Sequence, residues 1–312
     1  MVTRHECINS DTYVNTKLTA IRVMDSLKIL VTGSSGFIGT HTVRHLTAAG
    51  HRVIGYDLIP PEDRFPDGSI YLCGDIRTAR LPHEGIDAVV HLAALAGVRT
   101  SMDRPFDYLS TNVTATLRLL DHCRSHGIPR FVFASSSSVY GPDSPSPFAE
   151  DGLTDPCSPY ALTKLHAEQW CRLYARQHGI QVCALRFFSV WGPGQRPDLA
   201  LESFQRAIEQ DRPVTVLGDG SHRRDLTHVS DVVRAIELAI GFQGGGFETF
   251  NVGTGQNHSV MDMVAHAAAK AGKEPTIVHH PAHPADVQQT LADPRKSQNL
   301  LGFSPLHPFA GG

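Results

Sequence analysis

Residues 32–39 read TGSSGFIG, and their place in the chain decides the fold. Gly33, Gly36 and Gly39 follow the apolar run LKILV and open a helical pattern. Their spacing, G-x-x-G-x-x-G, is one residue longer than the dinucleotide fingerprint, but a strand precedes it and a helix follows it, which is the required context. We expect Gly33 to make the tight turn, Gly36 to let a pyrophosphate approach the helix N-terminus, and Gly39 to allow close packing of helix on sheet.

Short apolar runs alternate with helical patterns on both sides of this loop. Strands are predicted for LKILVTG, HRVIGYDL, IDAVVHLAA, RFVFASSS and QVCALRFF. Helices are predicted for FIGTHTVRHLTAAG, NVTATLRLLDHCRSHG and SPYALTKLHAEQWCRLYARQHG. Strand, helix and strand in steady succession predict an α/β fold with a doubly wound parallel sheet, the Rossmann arrangement.

The rhythm of strand and helix breaks after residue 189, where Pro and Gly cluster in WGPGQRPD and the loops lengthen. We therefore expect residues 24–188 to form the dinucleotide-binding domain, with the chain returning to it around residues 226–254. Residues 189–312 are expected to form a smaller substrate-binding domain over the carboxyl ends of the strands, where open α/β sheets bind ligands.

The composition excludes several classes of protein. Lys and Arg number 28 and Asp and Glu 31 in 312 residues, a formal charge of −3, so we expect no nucleic-acid partner. No run reaches the roughly 18 apolar residues that a membrane span needs. The six cysteines include no C-x-x-C pair, which favours a reducing cytoplasm. Residues 1–23 precede a second methionine, Met24, and lack the apolar core of a signal peptide, so we expect a leader or a misassigned start.

Asp57 ends the second predicted strand, where a carboxylate can accept hydrogen bonds from ribose hydroxyls. Its negative charge would repel a 2′-phosphate, so NAD is expected as the cofactor rather than NADP. The alternative is an aspartate that only caps the turn.

A tyrosine and a lysine stand one helical turn apart in SPYALTK, residues 158–164. Tyr160 and Lys164 share a helix face because residues at i and i+4 are neighbours. A tyrosine that acts as a base must lose a proton from a group with a pKa of ~10, and a nearby ammonium lowers that pKa. The serines of ASSSSVYG, residues 134–141, end another predicted strand and supply hydroxyls that can hold a sugar hydroxyl in line with the tyrosine. Together these residues predict proton transfer beside a nicotinamide.

The motifs TGSSGFIG, HLAALAGV, SSSSVYG and YALTK together resemble the extended short-chain dehydrogenase/reductase family of nucleotide-sugar epimerases and dehydratases. The resemblance covers residues 27–306 and implies NAD as cofactor. It implies three catalytic residues, Ser136, Tyr160 and Lys164. The residues expected to contact NAD are Gly33, Gly36, Phe37, Ile38, Gly39, Asp57, Asp75, Ile76, Ala93, Ala94, Asn112, Tyr160 and Lys164.

The same resemblance indicates which reaction to expect. The 4,6-dehydratases of the family carry an Asp-Glu pair where this chain has Ser137 and Ser138, so no carboxylate is available there for elimination. Oxidation at C4 followed by return of the hydride to the opposite face remains, which is a 4-epimerase reaction.

The stretch LRFFSVWGPGQRPDLA, residues 185–200, looks most like that of the UDP-glucuronate 4-epimerases. A C6 carboxylate is matched by hydroxyls and by a guanidinium, which can bind it bidentately. In the alternative, Arg196 contacts only the nucleotide phosphate or a loop. The residues expected to bind the UDP-sugar are Arg99, Ser136, Ser137, Ser138, Ser189, Arg196, Arg224 and Asp286.

Several alternatives stay open from the sequence alone. They are a UDP-glucose or UDP-N-acetylglucosamine 4-epimerase, a UDP-uronate decarboxylase or nucleotide-sugar dehydratase, and a non-catalytic NAD-binding sensor. The histidines of HHPAHP, residues 279–284, are interrupted by prolines, so no metal is expected. The resemblance also implies a homodimer through a bundle of two helices from each subunit.

Overall fold

The computed structural model describes residues 26–61, 65–281 and 287–309. The expected leader and the expected substrate ligand Asp286 lie outside the described residues. The strands, in chain order, are β1 (Lys28–Thr32), β2 (Arg52–Asp57), β3 (Ile70–Cys73), β4 (Ala88–His91), β5 (Arg130–Ser136), β6 (Gln181–Phe187), β7 (Val190–Trp191), β8 (Val214–Leu217), β9 (Arg223–Asp225), β10 (Thr227–His228), β11 (Phe247–Val252), β12 (Asn257–Ser259) and β13 (Ile277–His280).

The helices alternate with these strands along the first part of the chain. They are α1 (Phe37–Ala48), α2 (Val98–Asp103), α3 (Pro105–Tyr108), α4 (Ala115–His126), α5 (Pro159–His178), α6 (Ala200–Glu209), α7 (Val229–Gly241) and α8 (Val260–Ala271). A wide π turn, Leu109–Thr114, leads into α4.

One parallel sheet organises the molecule, with the strand order β11-β6-β5-β4-β1-β2-β3. Strand β1 pairs with β2 on one side and with β4 on the other, so the winding reverses at β1. The prediction of a doubly wound parallel sheet is confirmed. Ligands bind at such a reversal, outside the carboxyl ends of the strands. Residues that follow β1, β4, β5 and β6 are therefore brought to one crevice.

Both faces of the sheet are buried, which explains why its strands read as continuous apolar runs. Ile29 and Val31 of β1 pack in one hydrophobic cluster with residues of α1 and α7. Leu30, which points to the other face, packs in a second cluster with residues of α4 and α5. Because side chains alternate along a strand, a single apolar run serves both layers.

The predicted helix ends match the structure where a cap residue marks them. The Ser158 hydroxyl accepts a hydrogen bond from the Ala161 backbone N–H and so caps the start of α5. Gly127 and Gly179 end α4 and α5 in the left-handed conformation that glycine adopts without strain. The first turn of α5, which carries Tyr160, is thereby fixed in place.

The later part of the chain adds small two-stranded sheets rather than extending the large one. Strands β8 and β13 pair in parallel, and helices α6 and α8 pack over a separate hydrophobic cluster. Among the described residues, none of the helices combines the length and apolar character that crossing a bilayer demands.

Candidate active site

The glycine loop between β1 and α1 is closed by contacts that leave no room for a larger residue. A Cβ on Gly39 would lie 1.9 Å from the carbonyl oxygen of Gly33. Gly33 itself has a φ of +72°, and a Cβ there would lie 2.5 Å from the backbone N of Ala93. Gly36 precedes α1 and gives it no side-chain cap, and residues Gly36, Phe37, Ile38 and Gly39 line the cavity described below. This cradle fits a pyrophosphate.

Asp57 braces the glycine loop. Its Oδ2 accepts a hydrogen bond from the Ser35 backbone N–H at 2.9 Å, and its Oδ1 accepts one from Leu58 at 2.7 Å. The turn-capping contact considered above is therefore present. The carboxylate is only half-buried at the end of β2, and its expected contact with a ribose stays a prediction.

A cavity of about 550 Å³ opens at the carboxyl ends of the strands, in front of the glycine loop. It collects most of the expected site residues from distant parts of the chain. Those that line it are Gly33, Gly36, Phe37, Ile38, Gly39, Ala94, Ser136, Ser137, Ser138, Tyr160, Lys164, Ser189, Arg196 and Arg224. The roles expected for these residues stay predictions, but their convergence on one cavity is a property of the fold.

Some of the expected ligands do not line the cavity, and they have other partners. The amide of Asn112 is buried and hydrogen-bonds the Leu95 backbone N–H and C=O, and also the Thr163 hydroxyl. It therefore shapes the loop after β4. Asp75 is bound by the Arg77 guanidinium. The remaining members of this group are Asp57, Ile76 in the hydrophobic core, Ala93 and Arg99, which is exposed on α2.

The three expected catalytic residues lie together on β5 and α5. Lys164 is buried, and its Nζ donates to the Ala134 carbonyl at 2.8 Å while lying 5.9 Å from the centroid of the Tyr160 ring. The Ser136 hydroxyl accepts from the Ser138 backbone N–H at 3.1 Å. Strand β5 and helix α5 thus bring a hydroxyl, a phenol and an ammonium to the wall of one cavity.

The protein raises the pKa of Tyr160, because burial disfavours the phenolate. Hydrogen bonding with Ser136 and the positive charge of Arg196 oppose that rise. From the sequence this role is expected for Lys164, and that assignment stays a prediction; in the structure the Lys164 ammonium donates one hydrogen bond to the Ala134 carbonyl. Burial lowers the pKa of Lys164 to about 8, while Cys171 and Glu168 act in the opposite direction.

Tyr108 packs against the candidate site without lining the cavity, and it was not anticipated from the sequence. Its ring meets that of Tyr160 edge-on, with the centroids 6.3 Å apart. Its hydroxyl donates to the carbonyls of Ala96 and Gly97, at 2.9 and 3.1 Å, in the loop that lines the cavity. The available signal was a tyrosine in the stretch RPFDYLST, shortly before a predicted helix.

Two guanidinium groups line the cavity along with the serines. Arg196 is held by Asp198 through two hydrogen bonds, of 3.0 and 2.9 Å. Arg224 donates to the Arg223 carbonyl at 2.9 Å. No Asp or Glu among the described residues lines this cavity. Its charged groups therefore favour an anionic ligand.

The structure offers no support for a metal centre in the parts of the chain it describes. Within residues 26–61, 65–281 and 287–309, no group of three or more His, Cys, Asp or Glu side chains could hold a metal ion. Of the histidines in HHPAHP, His279 binds the Gly218 carbonyl through its Nδ1 at 2.8 Å.

Comparison with known proteins gives a consistent family assignment. The model of the NAD dependent epimerase/dehydratase family matches residues 29–253. An uncharacterized UDP-glucose epimerase, YtcB of Bacillus subtilis (strain 168), is 37% identical over 306 residues, which cover 92% of this chain and 95% of the relative. A UDP-glucuronate 4-epimerase of Thermodesulfobacterium geofontis is 34% identical and covers 88% of this chain and 90% of its own.

Two solved structures resemble the fold closely. MoeE5 in complex with UDP-glucuronic acid and NAD has a TM-score of 0.85 at 41% identity, covering 91% of this chain and 96% of its own. UDP-glucuronic acid 4-epimerase from Bacillus cereus, in complex with UDP-glucuronic acid and NAD, has a TM-score of 0.84 at 34% identity, covering 90% of this chain and 95% of its own.

Proposed function

The chain belongs to the NAD-dependent epimerase/dehydratase family, and from that premise we propose that it is a UDP-sugar 4-epimerase whose substrate is UDP-glucuronate. The product is UDP-galacturonate, formed by inversion at C4. The observation that carries this proposal is the charge of the cavity. Two guanidiniums and a run of serines line it, and no carboxylate of the described residues does.

The cavity wall argues against a dehydratase. Elimination of water across C5 and C6 needs a general acid and a general base beside those carbons. From the sequence, the dehydratase Asp-Glu pair is expected at the positions of Ser137 and Ser138, which line the cavity, and a serine hydroxyl does not replace a carboxyl group as general acid and base. Epimerisation needs only one such group, at the 4-hydroxyl.

Three residues of the chain, Tyr160, Ser136 and Lys164, have separate roles in the proposed reaction. Bound NAD supplies the hydride acceptor and donor for C4. Tyr160 takes the proton of the 4-hydroxyl and later returns it, and Ser136 holds that hydroxyl in line. The pKa of Tyr160 must fall for it to accept a proton, and both Ser136 and Arg196 act in that direction. Lys164 supplies the positive charge that favours the phenolate, with its Nζ 5.9 Å from the centroid of the tyrosine ring.

The substrate anions are matched by the arginines. A diphosphate and a C6 carboxylate both accept bidentate hydrogen bonds from a guanidinium. We assign the diphosphate to Arg224 and the carboxylate to Arg196, with Ser137 and Ser189 as further donors. A 4-keto uronate is a β-keto acid, so hydrogen bonds that hold its carboxylate also limit loss of CO₂.

The proposal also covers the roles of the two domains, the oligomeric state and the cellular compartment. Residues 24–188, joined by the return of the chain around 226–254, bind NAD, and residues 189–312 bind the sugar nucleotide. The protein forms a homodimer through α4 and α5, where Leu162 and Leu173 are exposed. The described cysteines are free thiols, which supports a reducing cytoplasm.

The decisive experiment is incubation of the purified protein with UDP-glucuronate and no added NAD. We expect UDP-galacturonate of unchanged mass, and its loss in Tyr160→Phe. If the protein converts neither UDP-glucuronate nor UDP-galacturonate, the substrate assignment is refuted. A panel of UDP-glucose and UDP-N-acetylglucosamine then identifies another 4-epimerase, and a product lighter by CO₂ or water identifies a decarboxylase or dehydratase.

A further inference from the structure

A buried ion pair lies directly behind the catalytic residues. The Arg186 guanidinium, on β6, donates through Nε and Nη2 to the two carboxylate oxygens of Glu168, on α5, at 2.9 and 2.8 Å. Both side chains are almost fully buried, at 4% and 5% exposure. A buried pair is expensive in desolvation, and well-packed apolar residues often stabilise a fold as well or better. Stability alone therefore does not account for this pair.

The carboxylate of the pair reaches the catalytic residues. Glu168 stands one helical turn after Lys164 on α5, and its Oε1 accepts a hydrogen bond from the hydroxyl of Ser135. Ser135 immediately precedes Ser136 on β5. The carboxylate thus joins the helix that carries Tyr160 to the strand that carries the serine.

The guanidinium of the pair reaches the cavity wall. Arg186 Nη1 donates to the hydroxyl of Tyr140 at 2.8 Å, and that hydroxyl donates to Asn251 Oδ1 at 2.9 Å. The Tyr140 ring lines the cavity and stacks on Phe148, with the centroids 4.8 Å apart. One buried network therefore connects the catalytic helix to the wall of the sugar site.

We propose that Glu168 and Arg186 are a positioning pair, which sets the distance between Ser136, the Tyr160–Lys164 helix face and the Tyr140 wall. This role rests on the proposed function. A structural pair would contribute only to stability, whereas a positioning pair also contributes to kcat, since a catalytic group displaced by a fraction of an ångström loses rate. The two roles predict different behaviour when the pair is replaced rather than broken.

The test compares breaking the pair with replacing it. In Glu168→Gln, Arg186 loses its charge partner, and we expect a lower Tm together with a kcat reduced at least tenfold. In the double variant Glu168→Leu/Arg186→Met, apolar packing is expected to return the Tm close to that of the wild type. We expect its kcat to stay at least tenfold low and its KM to change less than threefold. The matched control is Glu237→Gln, which removes a carboxylate of α7 that is paired with His45 of α1. We expect wild-type kinetics in this variant.

A double variant that regains both Tm and kcat would overturn the proposal. Two smaller changes cover the case in which the double variant does not fold. Ser135→Ala cuts only the link to β5 and is expected to lower kcat about fivefold. Tyr140→Phe cuts only the link to the wall and is expected to lower kcat about fivefold, with KM changed less than threefold. Wild-type values in both would equally overturn it.

A second readout separates this inference from the proposed function. NAD affinity is measured by fluorescence titration without any sugar, and we expect at least a fivefold loss in the double variant because Lys164 is displaced. A folded double variant that binds NAD with wild-type affinity would contradict the positioning role of Glu168 and Arg186. If the wild type epimerises no UDP-sugar while the double variant still loses NAD affinity, the proposed function fails and the positioning role stands.

Discussion

A Cβ on Gly39 would lie 1.9 Å from the carbonyl oxygen of Gly33, whereas one on Gly36 would lie 3.3 Å from the same oxygen. The first distance forces the backbone to move, and the second is a tight contact that a small shift can relieve. The fold therefore requires glycine at positions 33 and 39. At position 36 the fold tolerates a small side chain, so the need for glycine there comes from the expected ligand.

This difference predicts two separable phenotypes. Gly39→Ala is expected to lower the stability by about 1–3 kcal/mol and to abolish NAD retention, because overpacking costs this much in a closed site. Gly36→Ala is expected to change the Tm little but to weaken NAD binding at least tenfold, because its methyl group occupies the approach of the pyrophosphate. Thermal unfolding with and without added NAD distinguishes them. Equal NAD affinity in Gly36→Ala and the wild type would contradict a pyrophosphate at this loop.

The buried ammonium of Lys164 gives a prediction for pH. Burial lowers its pKa to about 8, so the ammonium is lost as the pH rises through that value. If the reaction needs the ammonium, kcat falls above pH 8. In the unfolded chain the lysine keeps its proton up to ~10.4. Between these two values the unfolded state binds more protons, so this group makes stability increase with pH while activity decreases.

Variants at this position test that assignment. Lys164→Arg is always charged, so its residual kcat should not fall in the same pH range. Lys164→Met is expected to lose ~10²- to 10⁴-fold in kcat, the range for proton-transfer assistance. A wild-type kcat that stays flat from pH 7 to pH 9.5 would show that the charge of Lys164 is not required.

Arg196 separates the carboxylate assignment from the phosphate alternative. Arg196→Ala is expected to raise KM for UDP-glucuronate about 10- to 100-fold, since a hydrogen bond between charged groups contributes ~1.5–3 kcal/mol. KM for UDP-glucose, which has no carboxylate, should change less than threefold. A modest fall in kcat is expected with both sugars, because Arg196 also lowers the pKa of Tyr160.

The control for Arg196 is Arg206→Ala, which removes an exposed guanidinium paired with Glu202 on α6. Surface pairs of this kind contribute ~0–1 kcal/mol to stability, and this one is expected to leave both KM values unchanged. Equal losses with both sugars in Arg196→Ala would assign the guanidinium to the nucleotide phosphate.

The sequence was sufficient where chemistry depends on local spacing. The glycine loop and the helix face shared by Tyr160 and Lys164 are both set within a few residues, and the helices α1 and α5 that carry them were predicted correctly. The sequence could not show that the Asn112 amide hydrogen-bonds the Leu95 backbone, because that contact depends on how the loop after β4 folds back. A charged residue within an apolar strand such as LRFF does indicate a buried partner, since unpaired charges are almost never buried. Its identity, Glu168, required the packing of α5 on the sheet.

The final prediction concerns the chain segment that follows residue 303 and packs against α7. Asp231 is fully buried and accepts hydrogen bonds from the backbone N–H groups of Leu306 and His307, both at 2.9 Å. Burial by itself raises the pKa of this carboxyl, but these bonds and the His307 ring outweigh it, so the pKa is lowered overall. A lowered pKa contributes stability above the unfolded value of ~3.9, and that stability is lost as the pH falls below it toward the folded pKa.

Asp231→Asn should therefore destabilise the protein at pH 7 by about 1–3 kcal/mol, because the amide leaves buried donors imperfectly paired. The difference from wild type should shrink as the pH falls below ~4, because the carboxyl of the unfolded wild-type chain then takes up a proton before the folded one does. Denaturant unfolding at pH 7, 5 and 3.5 measures it. Asp211→Asn, at an exposed aspartate paired with Lys273, is the matched control, and a surface change of this kind stays within ~0.5 kcal/mol. A difference between Asp231→Asn and wild type that is as large at pH 3.5 as at pH 7 would show that the contribution of Asp231 does not depend on its charge.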